Sequence, residues 1–230
     1  MKLLLIETAT QVCSVAIASA GGILAARRST EANAHSSQLS PFIGELLEEC
    51  GMKPSQLSAV CVSSGPGSYT GLRIGVSSAK GICYALGIPL LSVPTLEGMA
   101  AQYYADHPEY QGLVCPMIDA RRMECYSAFY SHDGVARGTR ADIITEGIYD
   151  EYLDGQVVTF VGDGAPKCFP LLSKHPNARL DSSFSISARG LLPVALRKLQ
   201  GGQTEDVAYF EPFYLKDFVA KKSVVRGLVK

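Results

Sequence analysis

The stretch SSGPGSYTGLRIGV, residues 63–76, sets Gly65, Gly67, Gly71 and Gly75 among Ser63, Ser64, Ser68 and Thr70, between an apolar run and a helix-like one. Glycines leave backbone N–H groups uncovered, and the helix N-terminus adds the positive end of its dipole, so such a turn suits a phosphate or another anion. Gly65, Gly67, Ser68 and Thr70 would line it. The spacing is not the GxxxxGK[ST] of a P-loop, because Lys80 comes too late to reach a β- or γ-phosphate. Nor is it a dinucleotide fingerprint, since Gly71 falls one place late and no acidic residue closes a following strand. Two readings of the loop stay open on residues alone: an anion or nucleotide contact, and a tight turn that serves packing.

Other residue types narrow the chemistry. His35, His107, His132 and His175 lie far apart without metal-ligand spacing, and the seven cysteines form no CxxC pair. The cysteines sit mostly inside apolar runs and read as buried free thiols rather than a disulfide framework. Apolar residues make up 47% of the chain and charged ones 19%, with a net charge of −1, so the average composition carries neither disorder nor a strong attraction to nucleic acid or anionic membrane. Glu7 interrupts the N-terminal run MKLLLIETATQVCSVAIA, which reads as a core strand and not a signal peptide. No run reaches the roughly 18 to 20 apolar residues of a membrane helix, and a cytoplasmic chain with no membrane partner is expected.

The elements that must position the loop follow from hydrophobic period. LLLIETA, SVAIASA and GILAARRST read as three strands of an antiparallel meander. Between His35 and Cys50, residues Leu39, Phe42, Ile43, Leu46, Leu47 and Cys50 share one helix face, with Gly51 as the stop and Pro41 either in the first turn or at a kink. SAVCVSS is a buried strand leading into the glycine loop, a second helix runs to about Leu86, and PLLSV is another strand. The order predicts a mixed sheet covered by helices. The second half repeats the theme: VCPMIDA and ECYSAFY form a hairpin across Arg121 and Arg122, and a further strand-like run ends near Ile144. TEGIYDEYL is a short helix, VVTFVGDGA is a strand, and helices follow near 167–173 and 187–200. Similar element order in the halves hints at duplication.

In the helix after the loop, Leu72, Val76, Ala79, Cys83 and Leu86 make a heptad-like seam, with Gly71, Gly75 and Ser78 as a small-residue stripe beside it. Glycine inside a helix costs roughly 1 kcal/mol relative to alanine, so a backbone approaches closely there or a ligand needs the space. Packing within the chain and packing against a partner helix both fit.

The segments ETAT (7–10), SSGPGSYTGLRIG (63–75), AKG (79–81), PTLEGMA (94–100), IDARRMECY (118–126) and GDGA (162–165) together resemble the TsaB (YeaZ) family over most of the chain. SGPGSYTGLRIG is the most specific of them, and the C-terminal third is looser, with Lys216 where an arginine is expected after Tyr214-Leu215. The resemblance implies an α/β, actin-like ATPase fold (ASKHA, RNase H-like) of two lobes, each a mixed sheet with helices: 1–105, carrying the partner helices, and 106–230, whose final segment packs back on the first lobe. It further implies a part in forming N6-threonylcarbamoyladenosine at position 37 of tRNA. There a TsaB-type chain pairs with its paralogue TsaD, which carries the metal and transfers the threonylcarbamoyl group, and the ATPase TsaE joins them.

Within that frame, Thr95-Leu96-Glu97-Gly98-Met99 stands where TsaD-like chains carry His-Leu-Glu-Gly-His, so both metal-ligand positions are replaced by poor ligands. Glu7 stands where actin-like ATPases place a strand-end aspartate, and Asp119 and Asp163 stand at loops where the fold meets nucleotide; each is a candidate nucleotide contact, and turns favour such residues anyway. The expectation is a chain with no catalytic residue and no metal, with ATP or ADP held only at an interface shared with the partner and tRNA reached through the complex. The TsaD interface is expected on helices 36–50 and 70–86, through Phe42, Ile43, Leu46, Leu72, Gly75, Val76 and Ala79, with Val76→Arg leaving a folded monomer. The rivals are a self-sufficient ATP-dependent kinase or transferase using Glu7, Asp119 and the loop, and a module that pairs with itself.

Overall fold

The first strands, KLLLIE and CSVAIAS, are buried at nearly every position, so both faces of the sheet they form must be covered. The computed structural model describes residues 1–216. In it β1 (Lys2–Glu7), β2 (Cys13–Ser19) and β3 (Gly22–Ser29) form the expected antiparallel meander. β4 (Ala59–Gly65) and β5 (Leu90–Pro94) add to β1 in parallel, giving the order β3-β2-β1-β4-β5. On β1, Leu4 and Ile6 face one core while Leu3 and Leu5 face another. That strict period of two is what a strand buried on both sides requires.

The first core is closed by α1 (Ala34–Ser37), α2 (Leu39–Glu49) and α3 (Tyr69–Leu86). A break at Gln38 separates α1 from α2, which places Pro41 in the first turn of α2 and not at a kink. Ser68 caps α3, its Oγ accepting from Gly71 N at 3.2 Å, and Gly87 ends it in a left-handed conformation. The opposite face is covered by α4 (Thr95–Asp106), by a short turn at Ala188–Leu191, and by the C-terminal helix Leu192–Gln200.

β6 (Leu113–Asp119), β7 (Glu124–Ser131), β8 (Gly134–Ile143), β9 (Val158–Val161) and β10 (Ala178–Asp181) build a second sheet, ordered β10-β9-β6-β7-β8. β6, β7 and β8 pair antiparallel, and β6, β9 and β10 pair parallel. Each sheet therefore runs third, second, first, fourth, fifth strand of its half. This doubled topology is the actin-like arrangement. α5 (Asp150–Leu153) and α6 (Ala165–Leu172) cover the second sheet, and α4 packs between the two halves through Leu96, Met99, Ala100 and Tyr103. With the helix Leu192–Gln200, which we number α7, the chain returns to the first sheet. It then runs as a strap: Glu205 bridges to Leu90, Lys80 donates to the carbonyls of Ala208 and Phe210, and Phe213 N donates to Ser64 O at 2.7 Å.

Candidate functional site

The glycine loop sits at the end of β4, where three backbone oxygens of the same chain close on it. A β-carbon on Gly67 would lie 2.2 Å from Ala9 O, one on Gly71 2.1 Å from Thr8 O, and one on Gly65 2.3 Å from Phe213 O. Gly65 also has a φ of +113°, a conformation that side chains other than hydrogen rarely adopt. Further along α3, a β-carbon on Gly75 would lie 2.2 Å from Thr8 Oγ1. Gly67, Gly71 and Gly75, spaced four apart, thus form a groove that receives the segment leaving β1. Three donors of the turn are engaged within the chain: Ser68 N donates to Ala9 O at 2.6 Å, Gly65 N to Thr95 Oγ1 at 3.1 Å, and Gly71 N to the Ser68 cap. Carbonyl oxygens present their negative ends here, the wrong polarity for a phosphate. Of the loop residues, Gly65 is buried, Gly67 half-buried, and Ser68 and Thr70 exposed.

The three carboxylates do not meet. Glu7 is buried with 1% of its surface exposed. Its Oε1 accepts from Ala9 N at 2.7 Å and from Ser63 Oγ at 2.9 Å, which holds the loop after β1 to the end of β4. Burial pushes its carboxyl up to about 7 against the lowering effect of those hydrogen bonds. Asp119 and Asp163 lie in the other half, at the ends of β6 and β9, and are joined by the Asp119 N–H donating to Asp163 Oδ1 at 3.0 Å. Partial burial works against ionisation of Asp119, but Lys167 and the Arg121 N–H both donate to its Oδ1 and hold it below the usual carboxylate range. Desolvation raises Asp163, and neighbouring Asp119 adds to the effect.

The helix faces expected to meet a partner turn out to be largely internal. Leu46, Leu72, Val76 and Ala79 are buried in the chain, with Val76 only 3% exposed, and Gly75 is closed by Thr8. The heptad-like seam on α3 is the seam that packs on the sheet. Val76→Arg therefore disrupts the first core, and the expectation of a folded monomer is corrected. Phe42 and Ile43 are half-buried against that core. The outward face of α3 carries Thr70, Arg73, Ser77, Gly81 and Tyr84, the last 85% exposed.

A family model described as TsaD, tRNA N6-adenosine threonylcarbamoyltransferase, matches residues 11–210. The tRNA threonylcarbamoyladenosine biosynthesis protein TsaB of Escherichia coli is 32% identical over 97% of this chain and 98% of its own length. The chain belongs to the TsaB (YeaZ) family. The Bacillus subtilis TsaB protein is 36% identical over 57% of the chain and 56% of its own length. YeaZ from Pseudomonas aeruginosa superposes with a TM-score of 0.79 at 27% identity, covering 93% of this chain and 99% of that one. A Clostridium difficile activator of 2-hydroxyisocaproyl-CoA dehydratase, solved with bound ADPNP, shares the fold alone, at a TM-score of 0.53 and 10% identity.

For a TsaB-family chain the two positions that replace the TsaD-like ligand pair are informative. Thr95 is buried and its hydroxyl holds Gly65 N, while Met99 packs at the junction of the two halves, where a β-carbon on Gly162 would lie 2.5 Å from its Cε. Thr95 thus belongs to the packing around the loop, and Met99 to the core between the two halves. The residues missed by sequence reasoning are Thr8 and Ala9, whose oxygens fill the groove, and Phe213, whose oxygen closes on Gly65. The four-residue spacing of Gly67, Gly71 and Gly75 signals a close backbone approach, but nothing local names the segment that makes it.

Proposed function

We propose that this chain is a non-catalytic subunit in the formation of N6-threonylcarbamoyladenosine in tRNA, acting by binding and completing a TsaD-type partner with TsaE. The observation that carries this reading is the occupied cradle. Backbone oxygens of Thr8, Ala9 and Phe213 lie against the glycines that a phosphate would need, and Glu7, the strand-end carboxylate, is sealed between Ala9 and Ser63. Neither can reach a substrate in this arrangement. What the loop does is fix α3 against the end of β1, and so present the outward faces of α2 and α3 in a set orientation.

On this reading Phe42, Ile43 and Tyr84 supply the apolar contact with TsaD, while Leu46, Leu72, Gly75, Val76 and Ala79 support it from beneath. Gly81 suits a close helix approach, because a β-carbon there meets nothing within 4 Å. ATP or ADP, on this reading, is held only at the interface shared with the partner and not in the occupied cradle. Reconstitution tests the proposal: TsaD, TsaE, threonylcarbamoyl-adenylate and tRNA are combined with and without this chain. Modification that needs the chain is expected; equal modification in its absence overturns the reading. ATP turnover by the purified chain that Glu7→Gln abolishes would favour a self-sufficient enzyme.

A further inference from the structure

Two thiols meet behind the turn that joins β6 to β7. Cys125 on β7 and Cys168 on α6 are 43 residues apart in sequence, and their Sγ atoms lie 3.4 Å from each other. Of the seven cysteines, all among the described residues, this pair alone is joined sulfur to sulfur by a hydrogen bond. Both side chains are wholly buried. Gly164, just before α6, makes the room: a β-carbon there would lie 2.9 Å from Cys125 Sγ, and the Gly164 carbonyl accepts from the Cys125 S–H at 3.5 Å. The glycine loop and the helix faces of the proposed function use neither thiol.

The backbone beside the pair is already fixed in place. Lys167 and Glu124 immediately precede the two cysteines, and Lys167 Nζ donates to the Glu124 carbonyl at 2.8 Å and to Asp119 Oδ1. α6 and β7 are thus pinned one residue away from the sulfurs, and closing from 3.4 Å to the S–S bond length of about 2 Å asks for side-chain adjustment rather than movement of a helix. Access comes from α6 itself. It has eight residues, and Pro170 inside it lacks the N–H that would bond the Pro166 carbonyl. A short helix missing a ladder bond opens locally at low cost, which lets a small oxidant reach thiols that the closed state hides.

We propose that Cys125 and Cys168 form a reversible disulfide on exposure to peroxide, which locks α6 onto β7 and with it the corner that holds Asp119 and Lys167. Cys168 is the attacking sulfur. Burial raises both thiols, but the Cys125 S–H directed at Cys168 favours the Cys168 thiolate, and Lys167 favours ionisation of either. The Cys168 thiolate, its proton given to water, attacks one oxygen of the peroxide; the O–O bond breaks, and hydroxide leaves as Cys168 becomes a sulfenic acid. Cys125, losing its proton, then attacks the Cys168 sulfur; the S–O bond breaks, and the hydroxide takes that proton and leaves as water. Two thiols lose two electrons and two protons, and one hydrogen peroxide becomes two waters. A dithiol reductant reverses the bond by thiol–disulfide exchange.

The test oxidises the full, folded chain with hydrogen peroxide, then unfolds it, alkylates free thiols with N-ethylmaleimide and counts them by intact mass. Seven alkylated thiols are expected in the reduced chain and two fewer after oxidation, with a cross-linked peptide joining Cys125 to Cys168 and a return to seven after dithiothreitol. Cys50→Ala, which removes the half-buried thiol, is expected to keep the loss of two, whereas Cys125→Ala and Cys168→Ala are each expected to abolish it. The thermal midpoint of the oxidised wild-type chain is expected to rise by about 5 °C or more, because the closed loop restricts the unfolded chain, and the rise should be absent from both alanine variants. Should those variants fail to fold, the wild-type peptide map and midpoint decide alone. Seven free thiols after oxidation, a bond mapped to other cysteines, or Cys168 carried to sulfinic acid without a bond overturns the proposal. A Cys125–Cys168 bond with an unchanged or lowered midpoint overturns the locking of α6.

Discussion

The Thr8 carbonyl oxygen lies 2.1 Å from where a β-carbon on Gly71 would stand, so the first strand's exit and the third helix share a space that only glycine leaves open. The contact is backbone to helix and cannot be relieved by a rotamer change. Gly71→Ala is expected to destabilise the chain by about 2 to 3 kcal/mol, as overpacking does. Gly81→Ala, in open space on the same helix, is expected to stabilise it by up to about 1 kcal/mol. Urea denaturation of the two variants checks both signs, and equal effects would contradict the close approach.

Glu7 makes stability depend on pH in a defined window. Its carboxyl rises from 4.5 to about 7 on folding, so the native state binds the proton more tightly than the unfolded chain does. The associated stability is fully present below pH 4.5 and is lost as pH rises through about 7. Glu7→Gln keeps the buried shape without the charge and is expected to flatten the decline between pH 5 and 8. Thermal denaturation across that range measures it, and an unchanged slope would rule out Glu7 as its source.

The two faces of α3 are expected to separate stability from partner binding. Val76→Arg places a charge in the first core and is expected to leave little soluble folded chain. Tyr84→Ala removes an exposed ring, should leave the denaturation midpoint unchanged, and should weaken TsaD binding about tenfold. Circular dichroism and calorimetric titration with TsaD report each outcome. Wild-type affinity in Tyr84→Ala would place the interface elsewhere.

In the second half, Asp142 accepts from Arg137 at 2.7 Å, Ser127 at 2.6 Å and Tyr149 at 2.8 Å, and the Arg137 guanidinium lies 4.8 Å from the centre of the Phe129 ring. Asp142→Ala leaves that arginine largely buried without its carboxylate and is expected to cost about 3 to 5 kcal/mol. Chemical denaturation checks this, with Arg137→Met/Asp142→Leu expected to recover much of the loss.

Strands with a strict period and helices with one apolar face were legible in the sequence because each presents a single pattern to a single core. α4 carries no such stripe: Leu96, Gly98, Met99, Ala100, Gln102 and Tyr103 are all buried because the helix is covered on several sides, so its amphipathic signal vanishes. β10 is a four-residue strand with a polar sequence and left no signal at all. At the site, the glycine spacing announced a close approach, and the small-residue stripe was legible for the same reason. That Thr8, Ala9 and Phe213 make the approach is a long-range fact no local pattern encodes. The apolar seam of α3 looked the same whether it faced a sheet or a partner, since both surfaces ask for the same side chains.

The central claim is that this chain acts by binding and performs no chemistry. The direct measurement is the initial rate of N6-threonylcarbamoyladenosine formation by fixed TsaD and TsaE as wild-type chain or Glu7→Gln is added. Both are predicted to raise the rate to the same plateau, reached near one chain per TsaD. A rate that does not respond to the chain, or a Glu7→Gln chain that binds TsaD normally yet gives no modification, would contradict it.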